Sequence, residues 1–138
     1  MRYEFRKARA DDFPILLKNS TENGKVNQEI IDTSDEIRVM ACDGVPILAI
    51  GCVTYNTGTD ENMIGVWAIV SKDIKKHAKR AVIFLEDLMF SRVATKFVVL
   101  IDESKPVFIK FVQHFGFKRT KVVEECDGTL YHVYVKEN

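Results

Sequence analysis

Alternating apolar and polar residues predict strands and one short helix in the first part of the chain. Residues 3–9 alternate as a strand with one buried face does, and Asp11 and Asp12 offer caps for the helix that follows. Residues 21–35 are polar and predict a loop with a short helix at 28–31.

Two strands joined by a tight turn are predicted over residues 36–55. The turn falls at Asp43-Gly44, a dipeptide that readily adopts the positive backbone angles of a hairpin. These residues therefore predict an antiparallel β-hairpin.

Two continuous apolar runs lie in the second half of the chain. Residues 63–70, which include Trp67, and residues 97–101 lack alternation, which predicts strands buried on both faces. A helix lies between them, so we expect parallel strands joined by a right-handed crossover. The apolar stripe of this helix consists of Ala81, Phe84, Leu85, Leu88 and Met89.

The last third of the chain predicts one more helix and a closing hairpin. The helix has Val107, Phe108, Phe111, Val112 and Phe115 on its inner face and ends at Gly116, and the hairpin turns at Asp127-Gly128 with Tyr131, Val133 and Val135 inward. The whole pattern predicts one mixed α/β domain over residues 1–138, with a partly parallel sheet of six or seven strands and about four helices.

Composition limits the classes of partner. Twenty basic and twenty acidic residues cancel, so the chain as a whole is not attracted to nucleic acid or to an anionic membrane. Three widely spaced cysteines form neither a disulfide framework nor a zinc pattern, so we expect a reducing compartment and no metal. No apolar run approaches the roughly 20 residues of a membrane helix, and a cytoplasmic location is expected.

The order of elements resembles the GNAT acetyltransferases, whose fold is that of the acyl-CoA N-acyltransferases. The segment 106–117, an aromatic-rich helix ending in Phe115-Gly116-Phe117, is similar to the C-terminal helix of that family and its Gly-Phe ending. The resemblance implies acetyl-CoA as cosubstrate, a primary amine on a small molecule or protein as acceptor, and no metal.

The resemblance also implies where the coenzyme binds. In the family a Gln/Arg-x-x-Gly-x-Gly/Ala loop follows the central strand and holds the pyrophosphate at a helix start. Residues 71–80 occupy this place without either glycine, so Lys75, Lys76, Ala78, Lys79 and Arg80 become the implied pyrophosphate ligands and Ser71 the implied helix cap. The backbone amides of Ile69 and Val70 correspond to the oxyanion donors.

The implied catalytic groups are incomplete. Glu61 or Asp60, just before the central strand, corresponds to the general base, and Glu61 is the better candidate; for both, an exposed turn residue is the alternative. Val112 stands where many family members carry the tyrosine that protonates the leaving thiolate. His77 is expected to be solvated and His132 to face outward.

The chain is similar to GNAT-like proteins of tailed phages, including small internal virion proteins, in three features: Trp67 in the central strand, the basic stretch 76–80 and the aliphatic Val112. That similarity implies a host-cytoplasm or virion location. It also leaves open a non-catalytic virion or host-interaction module that has lost coenzyme binding. Nucleic-acid binding through residues 72–80 is a further alternative, which zero net charge and the lack of a binding motif disfavour.

Overall fold

The computed structural model describes residues 1–20, 28–56, 62–91, 96–104, 106–126 and 128–137. These residues form seven strands and four α-helices, in agreement with the predicted six or seven strands and about four helices. In chain order the elements are β1 (Tyr3–Lys7), α1 (Asp12–Lys18), α2 (Gln28–Thr33), β2 (Glu36–Cys42), β3 (Val45–Asn56), β4 (Asn62–Val70), a 3₁₀ helix (Ile74–His77), α3 (Ala78–Phe90), β5 (Lys96–Ile101), α4 (Pro106–His114), β6 (Lys118–Cys126) and β7 (Thr129–Glu137).

The strands form a mixed sheet in the order β1-β2-β3-β4-β5-β7-β6. β4 and β5 are parallel and α3 lies between them in sequence, which confirms the predicted parallel pair with a helical connection. The β2–β3 hairpin turns at Asp43 and Gly44, whose φ angles are +50° and +83°, as the Asp-Gly dipeptide predicts.

By its internal contacts the chain divides into two compact units. The first consists of Met1–Val53 and Trp67–Arg92, and the second of Thr54–Val66 and Val93–Asn138. The prediction of one domain over the whole chain stays a prediction.

The core of the first unit lies around β2, β3 and the inner faces of α1 and α3. Leu16, Val39, Ala49 and Ile69 form a buried cluster, and the predicted stripe of α3 is buried throughout. The last four residues of β2 and most of β3 are buried continuously, which is the pattern of strands covered on both faces. In β4, by contrast, the residues from Gly65 to Ala68 are only half-buried, so the prediction of full burial there was wrong.

The core of the second unit contains aromatic residues from β5, β7 and the end of α4. Gly116 adopts a φ of +87°, and the amide of Phe117 donates to the carbonyl of Val112, which confirms the predicted helix ending. Tyr134 is 1% exposed and deeper than the three residues predicted to face inward. Among those three, Val133 is buried, while Tyr131 and Val135 are half-buried.

The first turn of α1 is tied to β1 by a buried ion pair. Asp12 accepts two hydrogen bonds of 2.7 Å from the Arg6 guanidinium and one from the amide of Arg9. The hydrogen bond from Arg6 holds the pKa of the Asp12 carboxyl below its usual value, against the opposing effect of burial. Asp11 is the N-cap residue but makes no side-chain cap bond, and Asp12 accepts from the amide of Arg9 ahead of the helix, so the predicted side-chain capping by these two residues was wrong.

None of the described helices is long and apolar enough to cross a bilayer. Cys42 and Cys52 are buried and form no disulfide bond.

Candidate functional site

The first residues of the segment between β4 and α3 are hydrogen-bonded to β3 and to the residue that follows α1. Ser71 is buried, and its amide donates to the carbonyl of Ile47 at 2.9 Å. The amide of Lys72 donates to the carbonyl of Asn19 at 2.8 Å. The Ser71 hydroxyl accepts from the amide of Asp73, so Ser71 stabilises a turn directly after the strand. The prediction that Ser71 caps α3 was therefore wrong, because the cap position belongs to His77.

Most of the loop amides that a glycine-rich loop would offer to phosphate are used inside the protein. The amide of Ile74 donates to the carbonyl of Ser71 and that of Lys76 to the carbonyl of Asp73, in addition to the bonds made by Ser71, Lys72 and Asp73. Without glycine the segment coils into a 3₁₀ helix rather than a wide loop.

The first turn of α3 contains Ala78, Lys79 and Arg80, all of which are exposed. The amides of a first helical turn have no acceptor within their helix, and His77 supplies no side-chain cap bond. The turn contains no acidic residue. The helix start is therefore an exposed turn at the positive end of the helix dipole, without a neutralising acidic side chain in that turn.

Four exposed cations surround this helix start: Lys75, Lys76, Lys79 and Arg80, here called the basic cluster. Lys76 lies 3.9 Å from the carboxylate of Asp73, and both side chains are mostly exposed, which makes this ion pair weak. The structure thus brings the predicted pyrophosphate ligands together at one helix end. Their role as pyrophosphate ligands stays a prediction.

Ile69 and Val70 lie at the end of β4 with buried side chains, so any role in binding must come from their backbone. Within the described residues the β4–β5 ladder runs from the pair Met63 and Lys96 to the pair Val66 and Val99. Residues 67–70 continue beyond the last pair. Backbone groups past the end of a ladder are the ones that can bond to a ligand instead.

His77 is buried, contrary to the expectation that it is solvated. The residue is 9% exposed, and its Nδ1 lies 2.7 Å from the hydroxyl of Tyr3 on β1. The guanidinium of Arg80 lies over the Tyr3 ring, 5.3 Å from its centre. Tyr3 and His77 are 74 residues apart in sequence, and no local pattern points from one to the other.

Trp67 in β4 lies flat against the backbone of β3. A Cβ atom added to Gly51 would fall 2.0 Å from the Trp67 ring, so this position admits only glycine. The indole Nε1 donates to the hydroxyl of Ser34, directly after α2, at 2.7 Å. Trp67 is therefore fixed at both its face and its polar edge.

Comparison with solved structures identifies the architecture. Naa50 from Arabidopsis thaliana, in complex with the bisubstrate analogue CoA-Ac-MVNAL, superposes with a TM-score of 0.76 at 11% identity, covering 100% of both chains. A GNAT-family acetyltransferase from Streptococcus agalactiae gives 0.72 at 14% identity, covering 99% of this chain and 95% of that one. The chain has the GNAT fold.

A third GNAT structure, aminoglycoside acetyltransferase AAC(6')-Ib in complex with coenzyme A, gives a TM-score of 0.69 at 15% identity, covering 99% of this chain and 95% of that one. No family model and no curated protein sequence matches this chain. At identities this low the likeness establishes the GNAT fold, and the residues of the site must carry the functional argument.

The structure describes only some of the catalytic positions that the resemblance to GNAT proteins implies. Glu61 and Asp60 lie outside the described residues. Val112 is 8% exposed and packs into the core of the second unit, so that position supplies no proton donor. Within the described part of the chain, no three His, Cys, Asp or Glu side chains are grouped so that they could hold a metal.

A charged cluster in the second unit was not predicted. Glu103 accepts hydrogen bonds from Arg119 and from the buried hydroxyl of Tyr134. His132 Nδ1 lies 3.0 Å from Glu103 but is not aligned for a hydrogen bond, and its side chain is 18% exposed rather than facing outward. The Arg119 hydrogen bond, followed by that from Tyr134, lowers the pKa of Glu103, whereas burial raises the pKa of Tyr134. A carboxylate held ionised by two donors is a structural anchor and a poor general base.

Proposed function

We propose that the chain binds acetyl-CoA at the start of α3 and transfers the acetyl group to a primary amine on a small molecule or protein. The observation that carries this proposal is the exposed, uncapped first turn of α3 with the basic cluster around it. It is supported by the GNAT fold and by the coenzyme A or coenzyme analogue in two of the similar structures.

The residues present fit a diphosphate. Cations at a helix start oppose the helix dipole by about 0.3–1 kcal/mol each when exposed, so the basic cluster is locally unfavourable without an anion. A bound diphosphate removes this repulsion and accepts from the amides of Ala78, Lys79 and Arg80. Guanidinium and ammonium groups add charge-assisted hydrogen bonds to its oxygens.

The proposed chemistry takes place at the end of β4. Asn62, which follows Glu61 in the sequence, is separated from Ile69 by the length of this nine-residue strand, about 20 Å at roughly 3.3 Å per residue, so Glu61 is too far away to be the direct base there. The acceptor ammonium therefore loses its proton to water, and the freed amine attacks the thioester carbonyl carbon. The amides of Ile69 and Val70 stabilise the negative charge that develops on the carbonyl oxygen. The C–S bond then breaks and the thiolate takes a proton from water, since Val112 offers none.

This account predicts slow turnover. A positioned general acid contributes about 10²- to 10⁴-fold to the rate, and that contribution is missing here. The test incubates the chain with acetyl-CoA and separate amine acceptors, namely an aminoglycoside, a peptide with a free N-terminus and a polyamine, and detects acetylated product by mass spectrometry. Product that depends on the chain and falls when Lys79 and Arg80 are both replaced by glutamine supports the proposal; no product with any acceptor contradicts the catalytic part.

A non-catalytic GNAT-like module, of the phage virion or host-interaction kind, is the second candidate. The observation that favours it is the internal use of the amides from Ser71 to Ile74 and of Lys76, combined with the buried aliphatic side chain of Val112. Coenzyme binding without acetylated product would support a module that binds the coenzyme without catalysis. If neither coenzyme binding nor product is found, the chain has the GNAT fold without either function.

A further inference from the structure

Tyr3 is the residue that connects β1 to the start of α3. Its hydroxyl lies 2.7 Å from His77 Nδ1, and the two rings meet edge to face with centres 5.5 Å apart and planes at 79°. His77 immediately precedes α3 and has φ and ψ angles of −122° and 19°, which are outside the helical range. The tyrosine therefore anchors the point at which the chain changes from the 3₁₀ helix to α3.

The same phenol also contacts Arg80, three residues after His77. The Arg80 guanidinium lies 5.3 Å from the Tyr3 ring centre, within the range of a cation–π contact. Residues three apart lie on the same side of a helix, so one tyrosine can contact both. Stacking on a ring leaves the planar N–H groups of arginine available for a bidentate contact with phosphate.

Arg80 therefore differs from the lysines of the basic cluster. Lys75, Lys76 and Lys79 are exposed, and the pair of Lys76 with Asp73 is weak, so these side chains lose conformational freedom when a phosphate binds. Arg80 is already restrained over a fixed ring. A pre-positioned side chain loses less entropy on binding, which raises affinity.

We infer that Tyr3 is a positioning residue for coenzyme binding: it fixes His77 and Arg80 so that Arg80 and the first-turn amides are directed at the coenzyme phosphates. In this chain the Tyr3 side chain would hold the phosphate-binding groups in place, a task that the backbone of a glycine-rich loop performs in other phosphate sites. The inference rests on the proposed coenzyme binding at α3.

The test separates the hydroxyl from the ring. Tyr3→Phe removes the bond to His77 and keeps the ring under Arg80, and we expect the Kd for coenzyme A to rise about three- to tenfold. Tyr3→Leu removes both contacts, and we expect a further rise of about two- to fivefold. In an Arg80→Gln background the loss of the ring should add little, because the two residues act together.

Two controls distinguish positioning from general damage. Phe5→Leu removes another β1 aromatic, whose ring packs on Phe84 with centres 5.2 Å apart, and should leave the Kd for coenzyme A unchanged. Acetyl-pantetheine lacks the diphosphate, so its Kd should be the same for wild type and Tyr3→Phe. A merely structural defect would weaken the binding of both ligands.

The outcomes are distinct. Wild-type binding of coenzyme A that Tyr3→Phe and Tyr3→Leu leave unchanged overturns the inference and spares the proposed function. Equal weakening toward coenzyme A and acetyl-pantetheine also overturns it. A wild-type chain that binds no coenzyme A overturns the proposed function itself, and the role of Tyr3 with it.

Discussion

Among single residues, Asp12 in the first unit is held by several charge-assisted hydrogen bonds. Its carboxylate is almost fully buried and bonded to Arg6 and to the amide of Arg9. We expect Asp12→Asn to lower the free energy of unfolding at neutral pH by about 2–3 kcal/mol, because it weakens charge-assisted hydrogen bonds to a part-buried guanidinium. Urea denaturation measures the change. Asp11→Asn, at an exposed position without a cap bond, is the control and should cost less than about 0.5 kcal/mol.

The same residue predicts an acid dependence. The pKa of Asp12 is lower in the folded chain than its ordinary value of 3.8, so its stabilising contribution is complete above that value. The contribution is lost as the pH falls from 3.8 through the folded pKa. The stability gap between wild type and Asp12→Asn should therefore shrink below pH 4. A gap that stays constant down to pH 2 would contradict the pairing with Arg6.

The contact between Gly51 and Trp67 predicts a steric effect of substitution at Gly51. In Gly51→Ala the new Cβ would lie 2.0 Å from the Trp67 ring, so the indole must shift and its bond to Ser34 must weaken. We expect a loss of about 1–3 kcal/mol in stability, typical of overpacking. Trp67 is the single tryptophan, so its fluorescence reports the shift directly. A second change, Trp67→Leu, should remove most of the added cost of Gly51→Ala. Unchanged fluorescence and stability in Gly51→Ala would disprove the contact.

At the scale of elements, the cations at the start of α3 are expected to lower the stability of the free chain and to raise its affinity for coenzyme A. Replacing Lys79 and Arg80 by glutamine removes two cations from a helix N-terminus, which should raise the stability of the free chain by about 0.3–1 kcal/mol for each exposed charge. The Arg80 contact with Tyr3 offsets part of that gain. The same variant should bind coenzyme A at least about tenfold more weakly, since it loses two phosphate contacts.

Thermal unfolding without ligand and calorimetric titration with coenzyme A measure the two effects. Lys110→Gln and Lys121→Gln remove two exposed cations from the second unit and should change neither the coenzyme affinity nor its salt dependence. A Lys79/Arg80 variant with unchanged coenzyme affinity would show that the basic cluster is an ordinary solvated surface.

The elements that were predicted correctly are those set by local signals. The stripe of α3, the ending of α4 at Gly116 and the Asp43-Gly44 hairpin each depend on neighbouring residues, and the structure contains all three. Burial depends on what packs above and below a strand. For that reason the double burial predicted for β4 belongs to β2 and β3.

The site could be predicted only in outline. The position of the basic cluster after the central strand followed from the order of elements. The internal use of the loop amides, the Tyr3–His77 contact and the Glu103–Arg119–Tyr134 cluster join residues far apart in sequence, which no periodicity or spacing records. The predicted role of Ser71 was wrong for the same reason. The amide of Ser71 bonds to Ile47, which is distant in sequence and lies in another strand.

At the scale of the whole molecule, the GNAT fold persists at 11–15% identity to the similar structures. A fold needs only the right apolar pattern, hydrogen-bonded turns and crossover handedness, which many sequences satisfy. A phosphate site needs particular backbone groups in particular directions. This chain retains the GNAT scaffold while its loop after β4 has no glycine, so binding and scaffold must be tested separately.

The most direct test of coenzyme binding is thermal unfolding of the wild-type chain over a series of coenzyme A concentrations up to millimolar. A ligand that binds only the folded state at ten times its Kd adds about 1.4 kcal/mol, which for a chain of this size raises Tm by about 4–6 °C. We predict such a rise for the wild type and its reduction in the Lys79/Arg80 double glutamine variant at equal coenzyme concentration. A Tm that stays constant at millimolar coenzyme A, or rises equally in both proteins, would contradict coenzyme binding at the start of α3.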